Sequence, residues 1–122
     1  MAANPFVILY VEDDELVRET FVELLVTPER RIVAVADVAG AREELRKNNV
    51  NLLITDLNLG DGSGHELAQE ALQQNPRLPV IICSGHDSTK LVQSLGPTAH
   101  ALRKPIELDK LEALLDRLAR GT

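Results

Sequence analysis

Apolar and polar positions along the chain alternate between two rhythms. Residues 6–11 ("FVILYV"), 31–36 ("RIVAVA"), 50–55 ("VNLLIT") and 78–84 ("LPVIICS") are short apolar runs rich in β-branched residues. The first reads as a strand buried on both faces, as in a parallel sheet, and the other three as further strands. A fifth, weaker run lies within "AHALRKP" (99–105). Helical spacing fills the intervals. Leu16, Val17, Phe21, Leu24 and Leu25 form one stripe, with Asp13 or Asp14 as its cap and Pro28 beyond its end. "VAGAREELRKNN" (38–49) follows Asp37 and places Arg46 and Lys47 late, matching the helix dipole. "HELAQEALQQN" (65–75) stops at Pro76, and "HDSTKLVQSLG" (86–96) predicts a short helix capped by Asp87 or Ser88. "ELDKLEALLDRLAR" (107–120) aligns Leu108, Leu111, Leu114, Leu115 and Leu118. The segment 57–64, "LNLGDGSG", reads as a loop. Five strand–helix alternations predict an α/β fold, a parallel sheet covered on both faces through right-handed crossovers.

Composition narrows the picture. A length of 122 residues suits one domain, and 44% hydrophobic residues support a packed core. Only 2% of residues are aromatic, so that core is aliphatic. The net charge of -6 argues against a nucleic-acid surface and favours cations as ligands. A single cysteine, Cys83, excludes an internal disulfide and a cysteine zinc site. The apolar runs are too short to cross a bilayer, and no export leader is expected. The expectation is one cytoplasmic domain over residues 1–122, with no membrane insertion and no output domain.

The candidate chemistry lies where the strands end. Ligands of open α/β sheets bind at the carboxyl ends of the strands, where strand order reverses. Glu12 and Asp13 follow the first strand, Asp56 ends the third, Ser84 the fourth, and Lys104 follows the fifth. If the order is 2-1-3-4-5, Glu12, Asp13 and Asp56 converge. Three carboxylates together either take up protons or bind a hard divalent cation such as Mg2+. For the metal, Asp13 and Asp56 are the direct ligands, Glu12 acts through water, and the backbone carbonyl of Asn58 completes the protein share. Lys104 offsets an anion, and a cis bond to Pro105 is one way to aim it inward. Ser84 offers a hydroxyl to a phosphoryl oxygen. These are the parts required to place a phosphoryl group on an aspartate.

With these residues in order, the chain resembles the receiver domains of two-component response regulators, the CheY-like superfamily. "ILYVEDDE" is similar to the acidic motif after the first strand and "LLITDLNLGDGSG" to the phosphoacceptor segment. "VIICSG" carries the switch hydroxyl and "LRKP" the lysine. The resemblance implies a doubly wound, flavodoxin-like (βα)5 fold and Mg2+ binding. It implies phosphoryl transfer to Asp56 from a histidine on a partner kinase or phosphotransfer protein, a downstream protein target, and a monomer or weak dimer. It also selects Asp13 over Asp14 as metal ligand. Three departures stand out. Gly60 replaces the family's usual proline, which predicts a looser loop. Ala101 replaces the usual aromatic switch residue. The stretch from Ser84 to Lys104 is short, which predicts a short fourth helix and a remodelled output face.

Other residues carry blander expectations. His86 is near enough to the site to affect water attack or metal access. His65 and His100 read as structural or solvated, and Cys83 as an inert buried thiol. Two other functions compete. A pseudo-receiver keeps the fold without phosphorylation, and Gly60 and Ala101 fit it. A flavin carrier requires a Ser/Thr/Gly phosphate loop after the first strand, where this chain has acids. The receiver segment of a hybrid histidine kinase is an equally open reading of the family resemblance.

Overall fold

Along β1 (Phe6–Val11) successive side chains serve opposite layers. Ile8 and Tyr10 enter one core cluster, Leu9 and Val11 the other. β3 (Leu52–Asp56) divides the same way, with Leu52 and Ile54 against Leu53. β6 (Val80–Ser84) sets Ile81 and Cys83 against Val80 and Ile82. Every residue of β3 and β6 is buried, which is why their sequences are apolar runs rather than alternating ones. The computed structural model describes residues 5–47 and 49–120.

With β2 (Arg30–Val35) and β7 (Ala99–Arg103) at the edges, the sheet order is β2-β1-β3-β6-β7, and all pairings are parallel. This is the expected 2-1-3-4-5 order, with β6 and β7 as the fourth and fifth strands of the main sheet. α1 (Glu15–Leu25) and α5 (Leu108–Ala119) cover one face through Leu25, Leu111 and Leu115. α2 (Val38–Arg46), α3 (Gly64–Gln74) and α4 (Thr89–Leu95) cover the other through Val38, Ala41, Leu67, Ala68 and Val92. The result is a flavodoxin-like (βα)5 fold. No helix among the described residues is long and apolar enough to cross a membrane.

Several local expectations change. The loop 57–64 contains a two-stranded antiparallel hairpin, β4 (Asn58–Leu59) and β5 (Gly62–Ser63). α2 ends at Arg46, short of the predicted Asn49, and Asn48 lies outside the described residues. Leu16 and Leu24 belong to the helical stripe by spacing yet are exposed on α1. α4 is as short as expected, at seven residues. Before it, Asp87 Oδ1 accepts from the Thr89 N–H (3.0 Å) and hydroxyl (2.6 Å), fixing a turn in place of a first helical turn. After it, Gly96 adopts φ 116°, a conformation open to glycine.

Candidate functional site

The chains leaving β1 and β3 turn to opposite faces of the sheet, and the crevice between them holds the acids. Glu12 remains in register with the sheet, since its N–H donates to the Val35 carbonyl at 3.1 Å. Its side chain turns in and is only 3% exposed. The Asp14 N–H donates to Glu12 Oε2 (3.1 Å), and the Arg18 guanidinium holds the Glu12 carbonyl (2.9 Å). Asp14 is the N-cap of α1, its Oδ1 accepting from the Val17 N–H at 3.0 Å. The helix therefore uses Asp14 and leaves Asp13 exposed at the crevice.

Glu12, Asp13 and Asp56 each present an oxygen within 4.8 Å of the others. Asp56, at the end of β3, is 8% exposed. Its backbone is fixed from two sides. The Thr55 hydroxyl donates to the Asp56 carbonyl at 2.9 Å. Gly64 lies so close that a Cβ there would stand 1.9 Å from the same oxygen. Asn58 follows two residues later, exposed at the start of β4.

Lys104 closes the site from the far side. Its Nζ donates to Asp56 Oδ2 at 2.8 Å and lies 3.6 Å from Glu12 Oε1. Its backbone N–H donates to the Ser84 carbonyl (2.8 Å), and the Lys104–Pro105 bond is cis. Ser84 is buried at the end of β6, where its Oγ accepts the His86 N–H at 3.1 Å. The His86 residue itself is exposed, so its contribution near the site is a backbone bond. His65 opens α3, its N–H donating to Ser63 Oγ (3.0 Å). His100 is half-buried in β7, where burial and then Arg117 hold its pKa below the usual imidazole value.

The charges perturb one another. Burial pushes the Glu12 carboxyl up to about 7, with the Asp56 carboxylate adding to the rise and the Asp14 N–H opposing it. Burial pulls the Lys104 ammonium down, but its bond to Asp56 and the charges of Asp56 and Glu12 prevail and hold it above its ordinary value. Behind the carboxylates lies a largely apolar cavity of about 260 Å³ bordered by Tyr10, Phe21, Ile54, Cys83, Ile106 and Leu111. The Tyr10 and Phe21 rings meet there with centroids 6.2 Å apart. Burial pushes the Cys83 thiol up to about 12, well away from a reactive thiolate.

The fold thus brings together Glu12, Asp13, Asp56 and Lys104, and sets Ser84 and Asn58 at the ends of neighbouring segments. Arg18, Thr55 and Gly64 support the site without having been expected to. Arg18 did carry a signal, standing one helical turn past Asp14 on a helix that starts at the acids. Three all-oxygen side chains of this kind suit a hard divalent cation, so the donor set fits Mg2+.

Comparison with known proteins agrees with this fold. The model of the response regulator receiver domain matches residues 8–116. The response regulator protein PilR of Pseudomonas aeruginosa is 32% identical over 109 residues, covering 88% of this chain and 24% of that protein. The sensor protein TorS of Escherichia coli is 32% identical over 111 residues, covering 88% of this chain and 12% of its own length. The chain spans about a quarter of response regulators such as PilR and FleR of P. aeruginosa. Among solved structures, a response regulator receiver protein from Sinorhizobium medicae superposes with a TM-score of 0.85 at 23% identity over 96% of both chains. The chemotaxis response regulator CheY4 of Vibrio cholerae gives 0.82 at 21% identity, over 94% of this chain and 99% of that one. A matching family model over most of the sequence, on this fold, establishes that the chain belongs to the response regulator receiver domain family.

Proposed function

We propose that the chain is a phosphoacceptor module of a two-component phosphorelay. In this reading Asp56 takes a phosphoryl group from a phosphohistidine on a kinase or phosphotransfer protein, in a Mg2+-dependent reaction, and the change switches binding to a downstream protein. Residues 1–122 act as one receiver domain in the cytoplasm, as a monomer or weak dimer. The observation that carries the reading is the convergence of Glu12, Asp13 and Asp56 at the β1/β3 crevice, with the Lys104 ammonium 2.8 Å from Asp56. Other family members work with histidine kinases, and the sensor protein TorS is among this chain's relatives.

Each residue then has a role. A carboxylate oxygen of Asp56 attacks phosphorus, the P–N bond to the donor imidazole breaks, and the leaving nitrogen takes a proton from solvent. Asp13, Asp56 and the Asn58 carbonyl would hold Mg2+, with Glu12 acting through water. The cation supplies charge neutralisation between the acids and the incoming phosphoryl oxygens. Lys104 stands where it can pair with a phosphoryl oxygen, and Ser84 offers its hydroxyl to another. Water later cleaves the acyl phosphate and releases inorganic phosphate.

The test is intact mass after incubation with acetyl phosphate and Mg2+, beside Asp56→Asn. The expected result is one added phosphoryl group on the wild type, none with EDTA and none on the variant. A folded wild type that gains nothing, from this donor or from a phosphorylated kinase, turns the assignment to a pseudo-receiver.

A further inference from the structure

The β4–β5 hairpin is tied to α2. Asp61, in its turn, reaches across to the start of α2. Its Oδ1 accepts from the Val38 N–H at 2.9 Å and its Oδ2 from the Ala39 N–H at 3.2 Å. Those bonds, the one from Val38 foremost, hold the Asp61 carboxyl below the usual carboxylate range. α2 already has a cap of its own, because Asp37 Oδ1 accepts from the Gly40 N–H at 2.7 Å. The hairpin backbone also rests on α2: a Cβ on Gly62 would lie 3.2 Å from Val38 Cγ2. Its other end is fixed where Gly64 meets the Asp56 carbonyl and donates to Leu57 O at 2.8 Å. Between these two anchors lies Asn58, paired with Ser63.

We propose that Asp61 is a positioning residue for the metal site: by pinning the hairpin turn to α2, it fixes the backbone of Asn58. This rests on the Mg2+-dependent reading above, in which the Asn58 carbonyl is a ligand. It explains how a loop with Gly60 in its turn is held in place. A carboxylate with two amide bonds supplies the restraint from outside the loop.

The experiment is calorimetric Mg2+ titration of the full chain, with a thermal melt of each protein, for wild type, Asp61→Ala, Asp61→Asn and Asp37→Ala. Asp61→Ala should weaken Mg2+ binding by about tenfold, the loss typical of a residue that orients a ligand. Asp61→Asn keeps one acceptor oxygen and should fall between. Asp37→Ala removes a cap from the same helix without touching the hairpin. It should melt earlier than wild type yet bind Mg2+ equally well. Wild-type affinity in Asp61→Ala, or an equal loss in Asp37→Ala, overturns the inference. Should Asp61→Ala fail to fold, Asp61→Asn decides alone, and unchanged affinity there overturns it. A wild type that binds no Mg2+ overturns the functional reading first, and this inference with it.

Discussion

Gly64 is tightly constrained against Asp56. A methyl group there would lie 1.9 Å from the Asp56 carbonyl oxygen, and backbone cannot yield as a flexible side chain would. Gly64→Ala should therefore cost roughly 3 kcal/mol, at the severe end of overpacking. It should also displace Asp56 and, on the proposed function, slow its phosphorylation. Urea unfolding at wild-type midpoint would remove this account. Glu12 sets a different constraint, one of pH. Its carboxyl rises from an ordinary 4.5 to about 7, chiefly through burial. Between those values the folded, metal-free protein binds a proton that the unfolded chain releases. Stability contributed by protonated Glu12 is thus fully present below about 4.5 and is lost as pH rises through about 7. In EDTA, the melting temperature should fall across that window for wild type and much less for Glu12→Gln. Superimposable pH profiles of the two proteins would contradict the assignment.

Between β1 and α1, two adjacent aspartates divide the work. Asp14 caps α1, whereas Asp13 faces the acids. Asp14→Ala should lower stability by about 1 kcal/mol, the usual loss of an N-cap. Asp13→Ala should leave stability near wild type and instead weaken Mg2+ binding in calorimetry. Exchanged phenotypes would show the roles to be reversed. Spacing alone left either residue as the cap, because the choice depends on which side chain the sheet turns toward the crevice. The inner strands were legible, since burial on both faces leaves a run such as "VIIC" apolar at every position. The convergence of Asp56 and Lys104 was legible only through topology, because 48 residues separate them. The β4–β5 hairpin was not, as its contacts include Asp61 bonds to a helix 22 and 23 residues earlier. Leu16 misled the helical stripe because the apolar spacing says nothing about where α1 leaves the sheet.

Across the molecule, Arg30 ties an edge strand to two helices. Its guanidinium pairs with Glu112 (2.6 Å) and Asp116 (3.1 Å) of α5 and donates to the Leu25 carbonyl at the end of α1 (3.3 Å). The arginine side chain is 9% exposed, but its acidic partners are 34% and 64% exposed, so water screens part of the gain. Arg30→Met keeps the stem and should lose about 1 kcal/mol, measured by chemical denaturation. A midpoint unchanged from wild type would mean that α5 is held by its apolar packing without these ion pairs. The same layer contains Tyr10, two residues before Glu12 and in ring contact with Phe21. The sequence has one tyrosine and no tryptophan. Tyrosine emission therefore arises from a single ring that borders the acidic crevice. Neutralising or adding charge at Asp56 alters the field on that phenol, so occupancy of the site can be followed optically without a label.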